Sequence, residues 1–131
     1  MSVSRSELRE KIMTILYQIE MYNKNKFEYK IEDIIKENIN ISNDFVNKIV
    51  NGVIEKHKDL DEKANEYLTD WTIDRLDNLG ATILRMSIYE ILYTDTPKIV
   101  VINEAIELAK KYSDENVRKM INAVLDKIVN E

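Results

Sequence analysis

The chain has 131 residues, 33% of them charged, a net charge of −5, two glycines, one proline and no cysteine. That length suits one domain, residues 1–131, able to bury a core of its own. So few Gly and Pro exclude a sandwich or barrel and favour an all-α fold, while the missing thiols exclude disulfides, thiolate chemistry and cysteine zinc sites.

Ser4 or Ser6 is positioned to cap a first helix, along which Leu8, Ile12, Ile15, Leu16 and Ile19 share a face. Arg5 and Arg9 lie at the edge of that stripe, beside whatever the helix packs on. The polar run Asn23 to Lys26 breaks the pattern, and Ile31, Ile34, Ile35 and Ile39 predict a short second helix. Ser42 is the expected N-cap of a third, with Phe45, Val46, Ile49, Val50, Val53 and Ile54 on its apolar side. An acidic helix over Asp59 to Leu68 and a brief one through Ile73 and Leu76 follow. From Leu79 to Tyr93 apolar residues spread almost all round the axis, so this helix must be wrapped by others. The next one, entered through Thr96 and Pro97, is amphipathic and covers it. Ser113 is expected to cap the last helix, whose stripe is Val117, Met120, Ile121, Val124, Leu125 and Ile128. The longest uncharged run, Ile12 to Ile19, is far short of a membrane span, and no apolar signal core opens the chain. A cytoplasmic location is therefore expected.

Catalytic constellations are missing. The one histidine, His57, stands in a charged stretch and is expected on the solvated surface. Paired Glu-x-x-His motifs, a nucleophile triad and a Gly-rich phosphate loop are all absent, so no enzyme activity, metal or cofactor is expected. Arg85, Glu90 and Glu104 interrupt apolar helices, and such charges persist when they are paired or bonded to helix ends.

Charge is unevenly distributed: residues 1–30 sum to +2, residues 58–79 to −4 and residues 110–131 to +1. Mildly basic ends around an acidic middle are compatible with two partners at two places. The basic patches are Arg5 and Arg9 with Lys11 nearby, and on the last helix Asn116, Lys119 and Lys127, with Arg118 on another face. Met120 sits between that helix's apolar stripe and its basic face. By periodicity alone these are ordinary solvated faces.

Leu-Tyr-Gln at Leu16 to Gln18, I-L-R-x-x-I-Y-E-I from Ile83 to Ile91, P-K-I-V-V-I-N-E-A-I-E-L-A-K-K-Y from Pro97 to Tyr112 and N-A-V-L-D-K-I from Asn122 to Ile128 together resemble the NusB family of transcription antitermination factors. The resemblance covers essentially the whole chain. It implies about seven helices in two small bundles packed around the buried one. It implies binding of the boxA element of ribosomal RNA leader transcripts through Arg5, Arg9, Arg118, Lys119 and Met120. It also implies a heterodimer with the ribosomal protein NusE through Asp74, Asp77 and the neighbourhood of Gly80, within an RNA polymerase antitermination complex. Ser6 and Glu7 stand where relatives often have further arginines, and Met120 where they often have Phe. The free protein is expected as a monomer or homodimer. The N-terminal module of RNA cytosine methyltransferases is also similar, but 131 residues leave no room for a methyl-donor domain. The other alternative is a helical protein-binding adaptor without sequence-specific RNA recognition.

Overall fold

The computed structural model describes residues 3–131. In chain order its helices are α1 (Arg5–Lys24), α2 (Ile31–Asn38), α3 (Asp44–Glu55), α4 (His57–Tyr67), α5 (Asn78–Tyr93), α6 (Lys98–Tyr112) and α7 (Glu115–Val129), with a 3-10 turn at Ile73–Arg75 before α5. Helix α5 dictates their arrangement. Every residue from Gly80 to Ile91 is buried, which a helix tolerates only with neighbours on all sides. Helices α6 and α7 pack on α5 and on each other as one bundle; α1 and α3 pack on α5 from the other, with α2 against α1 and α4 touching α3, α5 and α7. The all-α, two-bundle architecture implied by the sequence is thus the one observed. One hydrophobic cluster draws residues from all seven helices. Ile83, Leu84 and Ile88 are wholly withdrawn from solvent, and each such side chain stabilises the fold by about 1.5–3 kcal/mol.

Side-chain caps start four of the helices. The Glu7, Val46, Gly80 and Val117 amides donate to Ser4, Asn43, Asp77 and Asp114 at 3.1, 3.1, 3.0 and 2.8 Å. Two expected caps are displaced by one residue. Asn43 takes the place of Ser42, and Asp114 that of Ser113, where its carboxylate also faces the positive end of the helix dipole. The freed Ser42 hydroxyl accepts from the Asn47 side chain at 3.1 Å, and Ser113 bonds elsewhere, as described below. The brief helix expected through Leu76 is the shorter 3-10 turn, and α4 begins at His57.

Both glycines mark close approaches. A Cβ on Gly52 would lie 2.1 Å from the Tyr89 ring, and one on Gly80 would lie 2.6 Å from a Val117 methyl. These positions seat α3 and α7 against the buried helix. No helix among the described residues is long and apolar enough to cross a membrane.

Candidate nucleic-acid interface

Of the five expected RNA-contacting residues, Arg5 and Lys119 are exposed, Arg118 and Met120 are half-buried, and Arg9 is turned inward. Arg5, in the first turn of α1, is exposed, and its guanidinium lies 4.0 Å from the centroid of the Phe45 ring. Arg9, one turn later, is 5% exposed. Its Nε and Nη2 donate to the two carboxylate oxygens of Glu90 at 2.9 and 2.5 Å, and its guanidinium flanks the same Phe45 ring at 5.3 Å. The hydrogen bonds to Glu90 raise the Arg9 pKa above its ordinary value against the opposing effect of burial. The sequence expectation placed Arg9 on phosphate; the structure uses its fork on a carboxylate of α5. Burial leaves it a role in holding α1, and with it Arg5, in place.

Arg85, Glu90 and Glu104, the charges that interrupt apolar helices, all have partners. Arg85 Nε donates to Asp61 at 2.6 Å. Glu104 accepts from the Ser6 hydroxyl at 2.6 Å, so Ser6 joins α1 to α6. Four residues further on, Glu10 bonds the Lys111 ammonium at 3.0 Å and the Tyr112 hydroxyl. The Tyr112 bond and the neighbouring Lys111 hold the Glu10 carboxyl below the usual range.

That junction ties α1 to the C-terminal end of α6, and α7 begins three residues after Tyr112. In its first turns Glu115 lies 3.4 Å from Arg118 and 3.7 Å from Lys119. Lys119 is exposed and Arg118 half-buried, while Met120 packs partly against the core. The start of α7 is fixed in turn to the start of α5: the Ser113 hydroxyl donates to Asp77 at 2.9 Å, beside the Gly80–Val117 approach.

The residues expected to meet a protein partner divide. Asp74 is exposed and accepts from the Thr72 hydroxyl. Asp77 is exposed as well, but it caps α5 and holds Ser113. Gly80 is buried, so only its surroundings can form a surface. Between Asp70 and Asp74 stands Trp71, 47% exposed. Helical periodicity passes over this lone tryptophan in a polar, acidic segment. His57, expected in solvent, is half-buried, 3.9 Å from Glu20 and 3.5 Å from Asp61. Among the described residues no group of His, Asp and Glu is arranged to hold a metal ion.

The NusB family model matches residues 6–130. The chain is similar to the transcription antitermination protein NusB of Macrococcus caseolyticus (strain JCSC5402), 41% identical over 129 residues that cover 97% of each chain. Against the protein of the same name from Clostridium novyi (strain NT) the identity is 40%, over 97% of this chain and 98% of the other. Among solved structures, T. maritima NusB shares a TM-score of 0.88 at 30% identity, covering 100% of this chain and 94% of that one. The fold also matches a chain from a crystal structure of the antitermination factors NusB and NusE in complex with double-stranded RNA, with a TM-score of 0.80, 24% identity and 96% of each chain covered. A family match over nearly the whole length agrees with the helices wrapped around α5 and with the motifs along them: the chain belongs to the NusB family, that of the transcription antitermination proteins.

Proposed function

We propose that this chain forms a heterodimer with NusE and that the pair holds the boxA element of ribosomal RNA leader transcripts in the cytoplasm, seeding an antitermination complex on RNA polymerase. The observation that carries the reading is a set of cationic side chains at the starts of two helices that α6 joins, Arg5 on α1 and Arg118 and Lys119 on α7, in a chain whose net charge is −5. Phosphate binding depends on cations releasing counterions, so a face this small binds RNA weakly and with strong salt sensitivity. A partner with an RNA surface of its own raises effective concentration without new chemistry. The acidic segment around Asp74 and Trp71 suits a basic ribosomal protein, since opposite charge steers encounter and an exposed indole provides an anchor.

A titration of labelled boxA RNA and of a scrambled control, with and without NusE and at several salt concentrations, tests this. The heterodimer is expected to prefer boxA. Arg5→Ala and Lys119→Ala are each expected to weaken binding and to reduce the salt slope by about one. One observation favours the adaptor reading: Glu115 already holds Arg118 and Lys119, which thins the free positive charge. A heterodimer with no boxA preference supports that adaptor, and a chain that ignores both NusE and RNA overturns both readings.

A further inference from the structure

We propose that Phe45, on α3, is a positioning residue for RNA: its ring holds the Arg5 guanidinium flat, so that the edge of Arg5 meets a phosphate and its outer face receives an unpaired base. The inference rests on the RNA reading above and deepens it.

Phe45 belongs to the apolar stripe of α3 yet is only half-buried, packed at the margin of the core. The uncovered part of the ring is occupied by two arginines. Arg9 flanks it at 5.3 Å and is fixed by Glu90; Arg5 lies over it at 4.0 Å and is exposed. Among the described residues no carboxylate pairs with Arg5. The two guanidiniums therefore differ in purpose: one is consumed by an internal ion pair, while the other is presented by the ring with its donors unused.

Stacking engages the face of a guanidinium and leaves its in-plane N–H fork free, the geometry that recognises phosphate in two bonds. A long side chain freezes rotamers when it grips a ligand, and a ring that holds it beforehand removes part of that cost. Unpaired RNA bases stack on aromatic rings and on arginine planes alike. At the other basic segment the sequence has Met120 and no aromatic ring. The Phe45–Arg5 pair supplies a flat surface from the opposite bundle, drawing α3 into an interface otherwise built from α1 and α7.

The test uses the full chain with NusE, labelled boxA RNA and fluorescence anisotropy, alongside thermal melts of each variant. Phe45→Leu, which keeps apolar volume and removes the ring, is expected to weaken RNA binding about three- to fivefold, the size of an exposed cation–π contact. Phe45→Tyr should restore it. In an Arg5→Ala background Phe45→Leu should add nothing. Arg5→Lys, which leaves α3 untouched, should lose most of what Arg5→Ala loses, because an ammonium keeps the charge but not the plane. Binding that is unaffected by Phe45→Leu, a loss that persists undiminished in the Arg5→Ala background, or full activity of Arg5→Lys overturns the proposal while leaving the RNA reading intact. An unmutated heterodimer that does not prefer boxA overturns that reading itself.

Discussion

The two ends of α5 are fixed by opposite kinds of physics. At the C-terminal end a charge is buried: Glu90 meets Arg9 from a helix 81 residues away in sequence, and both side chains are almost fully shielded from water. At the N-terminal end an atom is absent: Gly80 has no Cβ, so Val117 can approach, and Asp77 caps the helix at the surface. The first arrangement is costly to break because each ion depends on the other for solvation. The second fails by crowding, which a neighbouring methyl can relieve. One end of the helix is specified by chemistry and the other by shape.

Removing one partner of the buried pair should therefore have the largest effect on stability. Glu90→Ala strands the Arg9 guanidinium, and a loss of about 3–5 kcal/mol is expected in denaturant titrations. The double replacement Arg9→Met with Glu90→Leu should recover much of that loss, because two apolar groups leave no ion unpaired. If the double variant is no more stable than Glu90→Ala, the pair is not what fixes this end.

Gly80→Ala should cost less. Overpacking against Val117 and Asp77 is worth about 1–3 kcal/mol, offset by roughly 1 kcal/mol of helix propensity gained over glycine. Val117→Ala in the same chain should relieve the clash, a compensation that charge loss at Glu90 does not permit. Melting curves of the two single variants and the double variant measure it.

The smallest effect concerns the surface tie between α1 and α6, and it depends on pH. Folding lowers the Glu10 pKa, first through the Tyr112 hydroxyl and then through Lys111. Its contribution to stability is therefore present above the unfolded carboxylate's pKa and lost as pH falls through the folded one. Glu10→Gln should melt slightly below the parent at neutral pH, and the two curves should converge in acid. A difference that is constant with pH would show that the carboxylate's charge plays no part.

Much of this architecture is legible in the residues. An apolar run with scarcely any polar face, as from Leu79 to Tyr93, requires a buried helix, although Leu92 and Tyr93 at its end are exposed, and the amphipathic runs either side of it supply the wrapping. The motifs from Ile83 to Ile128 likewise carry the family resemblance. Arg9 is different, because helical periodicity places it at the edge of a stripe and is silent about a carboxylate on a distant helix. Phe45 was counted with the core because its spacing is that of a core residue, and only coordinates reveal which part of its ring stays uncovered. Ser42 and Ser113 were each one residue from the true cap, since neighbouring Asn and Asp side chains compete for the same amides. Local chemistry reads well from sequence, whereas contacts across the chain do not.

Asp77 performs two tasks with one carboxylate: it accepts the Gly80 amide and the Ser113 hydroxyl. The first turn of α7 is consequently tied to the start of α5. Lifting it from the body of the protein withdraws Ser113 and Val117 together from the beginning of the most enclosed helix, and local opening at that helix approaches the cost of unfolding the whole. A surface segment bearing Arg118 and Lys119 is thus anchored at the start of the helix that runs through the core.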